Sequence, residues 1–334
     1  MASGSSHPAS LPAHPAPDVL IAGAGIIGLS LALELHSRGA RVLVLERDTA
    51  LAHASTAAAG MLALHDPHNP PALLPLTQLS ADLYPEFLER IQQLSGIEVP
   101  FQTDTTLQYR SSHPPQCLTE HSLDPRNLAA ALLAAIPHTG IKLREHTEFQ
   151  LTTAAPNTTV IYTTGAWVPE ELRRTLPVRP RKGQMLRVQL PPSLGNLREV
   201  HRSDQIYIVP RTVGTQAGTA LIGATIEDAG FDTSTHTRDL IHLRDLAATL
   251  LPALATEKDA PQLEAWAGLR PYTPDRLPIL GPVEPGSHRF LATGHYRNGI
   301  LLAPATAILL ADLITGKTPA LDLMPFSPAR FSQS

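Results

Sequence analysis

The ordered part of the chain opens with a short apolar run that leads into a glycine-rich turn. Residues 19–22 (VLIA) are all apolar and end at Gly23, which predicts a strand buried on both faces. Residues 29–37 then place apolar side chains at helical spacing and stop before Gly39, which predicts a helix. Residues 41–46 (RVLVLE) predict a second buried strand. Together these elements predict one βαβ unit.

The alternation of strand and helix patterns continues and predicts a doubly wound α/β layer. Further helices are predicted over 79–95, 124–136 and 300–314, strands over 99–109, 141–145, 159–162 and 290–293, and polar loops over 65–75 and 110–122.

The stretch from about 178 to 268 has a different pattern. It carries three strand-like runs, at 184–189, 205–210 and 220–225, and one helical pattern over 236–250. Such a pattern predicts a mixed sheet that forms a second domain.

A chain of 334 residues is expected to form about two domains. We predict a fold of the mixed α/β class: a Rossmann-like nucleotide-binding domain and a mixed-sheet substrate domain. The first is assigned to the segments 18–75, 123–177 and 268–325, the second to 76–122 and 178–267, and a disordered lead-in to 1–17.

The first turn has the spacing of a dinucleotide-binding fingerprint. Gly23 permits the tight turn, Gly25 lets the backbone approach a pyrophosphate, and Gly28 allows close packing of helix on strand. The helix N-terminus offers free N–H groups and a positive dipole end to the diphosphate. Glu46, 18 residues after Gly28, can accept hydrogen bonds from ribose hydroxyls and would repel a 2′-phosphate. The fingerprint therefore favours FAD or NAD over NADP.

Composition and charge exclude several classes of protein. The apolar fraction of 43% excludes a wholly disordered chain, and a net charge of −4 gives no basic field for nucleic acid. The single cysteine, Cys117, excludes an internal disulfide framework. The 15 histidines show no metal-ligand spacing, so no metal is expected. No run is long and apolar enough to span a membrane and no signal peptide is evident, so we expect a cytoplasmic protein.

Several segments together resemble the D-amino-acid-oxidase-like FAD-dependent oxidoreductase family, and most closely its glycine oxidase branch. The resemblance covers nearly the whole chain from Asp18 to about Gly316. It is carried by DVLIAGAGIIGLSLALEL with VLVLE, STAAAGML at 55–62, LDPRNL at 123–128, YIVPR at 207–211, LIGAT at 221–225, WAGLRPYTPDRLPILGP at 266–282 and GHYRNGILLAPAT at 294–306.

The resemblance implies an enzyme that binds FAD and oxidatively deaminates glycine or another small D- or N-methyl amino acid. A hydride passes from Cα to the flavin N5, giving an imino acid, and O2 as acceptor gives H2O2. The resemblance also implies a role in the synthesis of the thiamine thiazole. We expect noncovalent FAD, because Cys117 lies far from the C-terminal motif. The expected partners are a small amino acid and O2, with a homo-oligomer left open and nucleic acid excluded.

The resemblance assigns the substrate carboxylate to Arg270, whose guanidinium can bind a carboxylate with two parallel hydrogen bonds. Tyr207 would be the second contact to the carboxylate. The alternative for Arg270 is an ordinary ion pair with Asp275 or Glu264, and the alternative for Tyr207 is a core tyrosine.

Arg297 is expected to stabilise the negative charge of the reduced flavin, and its alternative is a surface cation beside a helix. His295 is expected to be a structural or flavin-adjacent histidine rather than a general base. The backbone that follows Arg297 is expected to contribute N–H donors at the pyrimidine end of the flavin, through Asn298, Gly299, Ile300 and Leu301.

The remaining cofactor contacts are expected from two glycine- and alanine-rich turns and the segments beside them. Small residues allow close backbone approach to the flat flavin ring, and hydroxyls suit the diphosphate. Ala58, Ala59, Gly60 and Met61 are assigned to the ring, Ser55 and Thr56 to the diphosphate, and Ile27, Arg47, Thr164, Gly165 and Trp167 to the rest of the FAD molecule.

The chain departs from the glycine oxidase pattern in two places. The segment between the helix ending near Ser95 and the LDPRNL motif is shorter than in that branch, and parts of the second strand pair before Thr159 are also short. In addition, Gln205 and Ile226 stand where that branch tends to carry His and Met. Two further functions therefore stay open: a D-amino-acid dehydrogenase that uses an acceptor other than oxygen, and a flavin-binding protein without catalysis.

Overall fold

The computed structural model describes residues 16–111, 113–155 and 157–331, so the predicted lead-in lies almost wholly outside the described residues. Two sheets and the helices on them account for the architecture. The elements in chain order are β1 (Val19–Ala22), α1 (Ile26–Ser37), β2 (Val42–Leu45), α2 (Ala54–Ala57), α3 (Leu74–Ser95), β3 (Phe101–Arg110), β4 (His113–Leu123), α4 (Pro125–Ala135), β5 (Lys142–Arg144), β6 (Thr159–Tyr162), β7 (Arg179–Gln189), β8 (Val200–Arg202), β9 (Tyr207–Arg211), β10 (Thr219–Gly223), α5 (Thr237–Leu250), β11 (Gln262–Tyr272), β12 (Ile279–Pro282), β13 (Arg289–Thr293) and α6 (Gly299–Ile314).

The first sheet has six strands in the order β12-β13-β6-β1-β2-β5. Its strands run parallel except β12, which pairs antiparallel with β13. All four residues of the central strand β1 are buried. Strands covered on both faces must be apolar throughout, which is why VLIA and VLVL predicted them correctly. The mixed α/β fold with two sheets is confirmed.

The second sheet has seven strands in the order β11-β7-β10-β9-β8-β3-β4. Neighbouring strands are antiparallel except β3 and β8, which are parallel. A separate core lies between this sheet and α5, where Leu243 and Ala247 pack with Leu186 and Ile222. The mixed character expected for this part of the chain is therefore present.

The prediction of a polar loop over 110–122 is wrong. These residues form most of β4, which pairs antiparallel with β3 and places Leu107 opposite Cys117. The strand lies at the edge of the sheet and the side chains from His113 to Cys117 are exposed, so its sequence lacks the apolar alternation of a half-buried strand. Two prolines in this stretch also suggest a loop, but an edge strand tolerates proline.

Four further differences concern element positions. Helix α3 begins at Leu74 rather than at residue 79, and β8, β11 and β12 were not predicted. Strand β8 has only three residues, and β12 ends in Gly-Pro, so neither carries a pattern long enough to recognise.

Helix α3 packs against the first sheet's helices although it lies in the segment 76–122 assigned to the substrate domain. Its side chains Leu76, Tyr84 and Ile91 share one core with α1 and α6. The strands of the first sheet come from 19–45, 142–162 and 279–293, so both ends of the chain contribute to it. The division of the chain into two domains stays a proposal, with α3 packed on the nucleotide-binding side.

A proline inside α6 explains one close contact between α3 and α6. Pro304 has no N–H, so the carbonyl of Ile300 loses its partner within the helix. The hydroxyl of Tyr84 donates to this carbonyl at 2.6 Å. Ser80 donates to the carbonyl of Leu301 at 2.6 Å and accepts from the N–H of Ala305 at 3.1 Å. Side chains of α3 thus satisfy the backbone groups that the proline releases.

We expect Tyr84→Phe to destabilise the protein by about 1 to 3 kcal/mol, because the buried carbonyl of Ile300 would lose its donor. Urea denaturation followed by far-ultraviolet circular dichroism measures the change. Tyr272→Phe is the matched control, since its exposed hydroxyl makes only a 3.5 Å contact with the carbonyl of Pro274. Equal stability of the two variants would contradict the role assigned to the Tyr84 hydroxyl.

Candidate functional site

A cavity of about 630 Å³ lies between the two sheets. Its wall includes the glycine turn after β1, the residues that follow β2 and β6, and the start of α6. Residues of β7, β9 and β11 form the opposite wall. The carboxyl edge of an open parallel sheet is where such folds bind ligands, and the volume is within the usual range for cofactor sites, about 300 to 1,000 Å³.

The N-terminus of α1 opens onto this cavity. Its capping residue is Gly25, which has no side chain to cover the first turn. The hydroxyl of Ser55 accepts from the N–H of Ile26 at 2.9 Å, which fixes the second glycine- and alanine-rich turn against the helix. The positive end of the helix is thereby accessible to an anionic group in the cavity.

Glu46 lies beside this turn, with its carboxylate held in place by the backbone. One oxygen accepts from the N–H of Ala24 at 2.7 Å and the other from the N–H of Asp48 at 3.0 Å. Each carboxylate oxygen has capacity for a further hydrogen bond, and Glu46 lines the cavity. This position suits the ribose hydroxyls that the fingerprint predicts.

The structure brings most of the predicted site residues to one cavity. The lining includes Gly23, Gly25, Ile27, Glu46, Arg47, Ser55, Ala58, Ala59, Gly60, Met61, Thr164, Gly165, Trp167, Tyr207, Arg270, His295, Arg297, Asn298, Gly299 and Ile300.

Three predicted residues lie outside the lining. Gly28 packs behind the turn, where an added Cβ would lie 2.1 Å from the carbonyl oxygen of Gly23, so its expected role in helix packing fits the geometry. The hydroxyl of Thr56 donates to the carbonyl of Leu51 at 2.9 Å. Leu301 is buried in the core. Thr56 therefore has a local structural bond, and its assignment to the diphosphate stays a prediction.

The turn at 57–62 is hydrogen-bonded to β4 and β11, the two edge strands of the second sheet. The N–H of Leu123 donates to the carbonyl of Gly60, and an added Cβ at Gly60 would lie 2.0 Å from the carbonyl oxygen of Leu123. On the other side, the indole of Trp266 in β11 donates to the carbonyl of Ala57 at 3.1 Å. Small residues are needed here because the backbone of β4 and the side chain of Pro125 approach the turn closely.

Arg270 extends from β11 into the cavity wall. Its guanidinium donates to the carbonyls of Thr225 at 3.1 Å and Lys182 at 3.3 Å. Burial lowers the pKa of Arg270, and the nearby cation of Arg297 lowers it further. No carboxylate of the described residues pairs with Arg270, so it retains a charge that a ligand can neutralise.

The alternative ion pairs for Arg270 are not formed. Glu264 pairs instead with Arg126 and Arg187, each at 2.7 Å. Asp275 pairs with Arg330, also at 2.7 Å. Both carboxylates therefore have other cations, which leaves Arg270 directed toward the cavity.

Gly183, which the sequence did not indicate, makes room for the guanidinium of Arg270. An added Cβ at Gly183 would lie 2.2 to 2.4 Å from three guanidinium atoms. Gly183 lies on β7, which pairs with β11 over this stretch. A cross-strand contact of this kind needs the strand register, which no local pattern provides.

Tyr207 begins β9 and contributes its phenol to the same part of the cavity. Its hydroxyl donates to the sulfur of Met185 at 3.5 Å. Burial raises the pKa of Tyr207, while the cations of Arg270 and Arg297 oppose that effect. Tyr207 is therefore a neutral donor next to the unpaired guanidinium, and not a tyrosine enclosed in the core.

Arg297 precedes α6 and lies in an ion pair. Its guanidinium lies 3.0 Å from a carboxylate oxygen of Asp66, and the two side chains are 19% and 5% exposed. The surface-cation alternative for Arg297 is therefore excluded. Asp66, which also lines the cavity, was not predicted as a site residue, because its loop was judged by its prolines alone.

His295 is a buried neutral histidine. Burial lowers the pKa of its imidazole to about 3, and a ring nitrogen lies 3.1 Å from the hydroxyl of Thr306. An imidazole with this pKa is neutral near neutral pH and cannot act as an imidazolium acid, which agrees with a structural role next to the cavity.

Arg47 and Trp167 form a stacked pair at one end of the cavity. The guanidinium carbon of Arg47 lies 4.2 Å from the ring centroid of Trp167. His53 and Phe231 contact other parts of the same indole, with centroid distances of 4.6 and 5.4 Å. Phe231 lies in the connection between β10 and α5, so this stack joins the two sides of the cavity.

The chain matches the family model of FAD dependent oxidoreductases (DAO) over residues 18–121 and 116–313. It is 32% identical to the glycine oxidase of Pseudomonas aeruginosa, over 93% of this chain and 98% of that protein. The chain therefore belongs to the DAO family of FAD-dependent oxidoreductases, and FAD is its cofactor.

A solved relative agrees with this assignment. The crystal structure of glycine oxidase from Geobacillus kaustophilus superposes with a TM-score of 0.85 at 29% identity, covering 94% of this chain and 98% of that one. The bifunctional protein ThiO/ThiG of Trichormus variabilis is 35% identical over 95% of this chain. That match includes 55% of the relative, so the chain spans about half the length of such proteins.

The comparison with relatives also bears on the shortened segment. The alignment with the Pseudomonas aeruginosa protein extends over 368 residues, more than the 334 of this chain, so the relative contains residues that this chain lacks. The family model matches in two pieces that meet at residues 116–121, within β4. The break falls between Ser95 and the LDPRNL motif, where the sequence predicts the shorter segment.

The residues of the cavity fit FAD. The uncovered N-terminus of α1 suits the diphosphate, Glu46 suits the ribose, and the small residues at 58–60 leave room for a flat ring. Cys117 is exposed on β4 and does not line the cavity. Within the described ranges no helix is long and apolar enough to cross a membrane, and no group of His, Cys, Asp and Glu could hold a metal ion.

The buried neutral state of His295 predicts a specific pH dependence of stability. The unfolded chain protonates this imidazole below about pH 6.5, whereas the folded chain does so only near 3. The free energy of unfolding should therefore fall as the pH drops from about 6.5 toward 3, and His295 should contribute about 1 kcal/mol of that fall between pH 6.5 and 5.5.

Urea denaturation at pH 7.5 and 5.5 measures this dependence. The variant His295→Asn should show a smaller difference between the two pH values than the wild type. His113→Asn, at an exposed position, should retain the wild-type difference. A wild-type difference in the His295 variant would show that this imidazole is not held neutral.

Proposed function

We propose that the protein oxidises a small amino acid, glycine or a D- or N-methyl amino acid, to the imino acid, with O2 as electron acceptor and H2O2 as product. Water then hydrolyses the imino acid to the keto acid. The observation that carries this proposal is the guanidinium of Arg270, which faces the cavity beside the Tyr207 hydroxyl without a carboxylate partner among the described residues.

The chain's own residues would bind and orient the substrate. Arg270 has planar donors that match a carboxylate, and its bonds to two backbone carbonyls and the space over Gly183 hold it in place. Tyr207 would donate its hydroxyl to the same carboxylate. FAD, when bound, supplies the acceptor for the two electrons and the hydrogen that oxidation of the amino acid releases.

The state of His295 argues against a histidine general base in this reaction. His295 is neutral and bonded to Thr306, so it is placed to support the wall and not to exchange protons with the substrate amine. The N-terminus of α6 places the positive end of its dipole at the same end of the cavity, next to the Arg297–Asp66 ion pair. This positive potential would favour the anionic form of the reduced flavin.

The names of the relatives support further proposals. Relatives named glycine oxidase cover almost the whole chain, and other relatives are named ThiO/ThiG. We infer a role in supplying an imino acid for the thiamine thiazole, in the cytoplasm, with FAD held noncovalently. The presence of Arg270, Tyr207 and Arg297 around one cavity disfavours a flavin-binding protein without catalysis.

Anaerobic reduction of the bound flavin tests the proposal. The purified protein, reconstituted with FAD, should lose its visible flavin absorbance with one or more of glycine, sarcosine, D-alanine and D-proline, and regain it in air with release of H2O2. Recovery only with a quinone or dye would indicate a dehydrogenase. Absence of bleaching with every substrate would contradict amino acid oxidation.

Arg270→Ala should raise KM by a factor corresponding to about 2 to 4 kcal/mol, because a charge-assisted contact to the carboxylate is lost. Steady-state oxidation of the best substrate measures the effect. Arg289→Ala, which removes a cation that pairs with Glu284 away from the cavity, is the matched control. An unchanged KM in the Arg270 variant would remove Arg270 from carboxylate binding.

A further inference from the structure

Asp66 is the acidic group at the Arg297 end of the cavity. It lies in the loop that follows the turn at 57–62, lines the cavity, and is 5% exposed at its side chain. Its Oδ2 lies 3.0 Å from the guanidinium of Arg297. The burial of this pair distinguishes it from the exposed ion pairs of the molecular surface, which contribute little.

The carboxylate of Asp66 is held in place from its other side. Its Oδ1 accepts from the N–H of His68 at 2.9 Å and lies 3.1 Å from Nδ1 of the same residue. The loop is itself anchored, because Asn298 donates to the side chain of Asn69 at 2.8 Å. Moving Asp66 away from Arg297 would therefore break several bonds at once.

Of the two arginines at this end of the cavity, only one has a carboxylate as counter-ion. Arg297 has Asp66 as its counter-ion, whereas Arg270 has only neutral oxygens as partners. The three charged groups lie near one phenol: the charges of Arg270 and Arg297 lower the pKa of Tyr207, and that of Asp66 raises it. Two guanidiniums and one carboxylate leave one uncompensated positive charge, which matches one carboxylate on the substrate.

We infer that Asp66 is a specificity-determining residue that restricts the site to substrates with a single carboxylate. This inference rests on the proposed function. A second carboxylate on the substrate would have to compete with Asp66 for Arg297 or lie near the Asp66 anion. Both arrangements are unfavourable, because two anions cannot share Arg297 equally and like charges repel each other.

The variant Asp66→Asn tests this inference, because it keeps the shape of the side chain and removes its charge. Sarcosine and iminodiacetate share one scaffold and differ by the second carboxylate. The ratio of kcat/KM for iminodiacetate to that for sarcosine should rise at least tenfold in the variant. Asp275→Asn, which removes a carboxylate paired with Arg330 away from the cavity, should leave the ratio unchanged.

Binding of unreactive acids gives a second readout that does not need turnover. Acetate and malonate would be titrated into the FAD-loaded protein, with the melting temperature and the visible spectrum as signals. The wild type should bind malonate no more tightly than acetate, and Asp66→Asn should bind malonate at least ten times more tightly than the wild type does.

The outcomes separate the inference from the proposed function. If no amino acid reduces the flavin, the proposed function fails, and the acid titrations still decide the role of Asp66. The inference alone is overturned if sarcosine is oxidised but Asp66→Asn changes neither the iminodiacetate-to-sarcosine ratio of kcat/KM nor the affinity for malonate. Should the variant not fold, wild-type binding of malonate ten times tighter than that of acetate would overturn it.

Discussion

The guanidinium of Arg270 is the charge around which the cavity is organised. It lies in the seam between β7 and β11, where Gly183 leaves space for it and two backbone carbonyls accept its hydrogen bonds. Carbonyl oxygens satisfy donors but do not cancel a charge, and a partly buried charge without a counter-ion is costly. The acidic groups near it in sequence pair with other cations. The site therefore reaches its lowest free energy with an anion bound, which is the physical basis for binding an amino acid by its carboxylate.

The turn at 57–62 connects the substrate wall to the predicted cofactor position. Hydrogen bonds from Leu123 in β4 and Trp266 in β11 hold the turn against the second sheet, and Ser55, just before the turn, accepts from the N–H of Ile26 at the N-terminus of α1. The same turn thus borders the predicted diphosphate position, the ring position and the substrate wall. A change in its backbone would alter cofactor and substrate positions together.

The central strands of the first sheet were predictable because their residues interact locally or through a short motif. The βαβ unit, the glycine fingerprint and Glu46 lie within 30 residues, and buried parallel strands have an apolar sequence that is easily recognised. The substrate side was less predictable. Strand β4 lies at a sheet edge and is polar, and the contacts of Gly183 with Arg270 and of Asp66 with Arg297 depend on tertiary structure. The positions of Arg270 and Tyr207 followed from resemblance to a family rather than from any local pattern.

The central claim is that the anionic charge of the substrate is what Arg270 recognises. Glycine and glycinamide have nearly the same shape and differ in this charge, so their rates of anaerobic flavin reduction in the wild-type protein compare it directly. The account predicts that glycine reduces the flavin at least a hundred times faster than glycinamide at equal subsaturating concentration, and that Arg270→Ala brings the two rates close together. Equal rates for the two compounds in the wild type would contradict it.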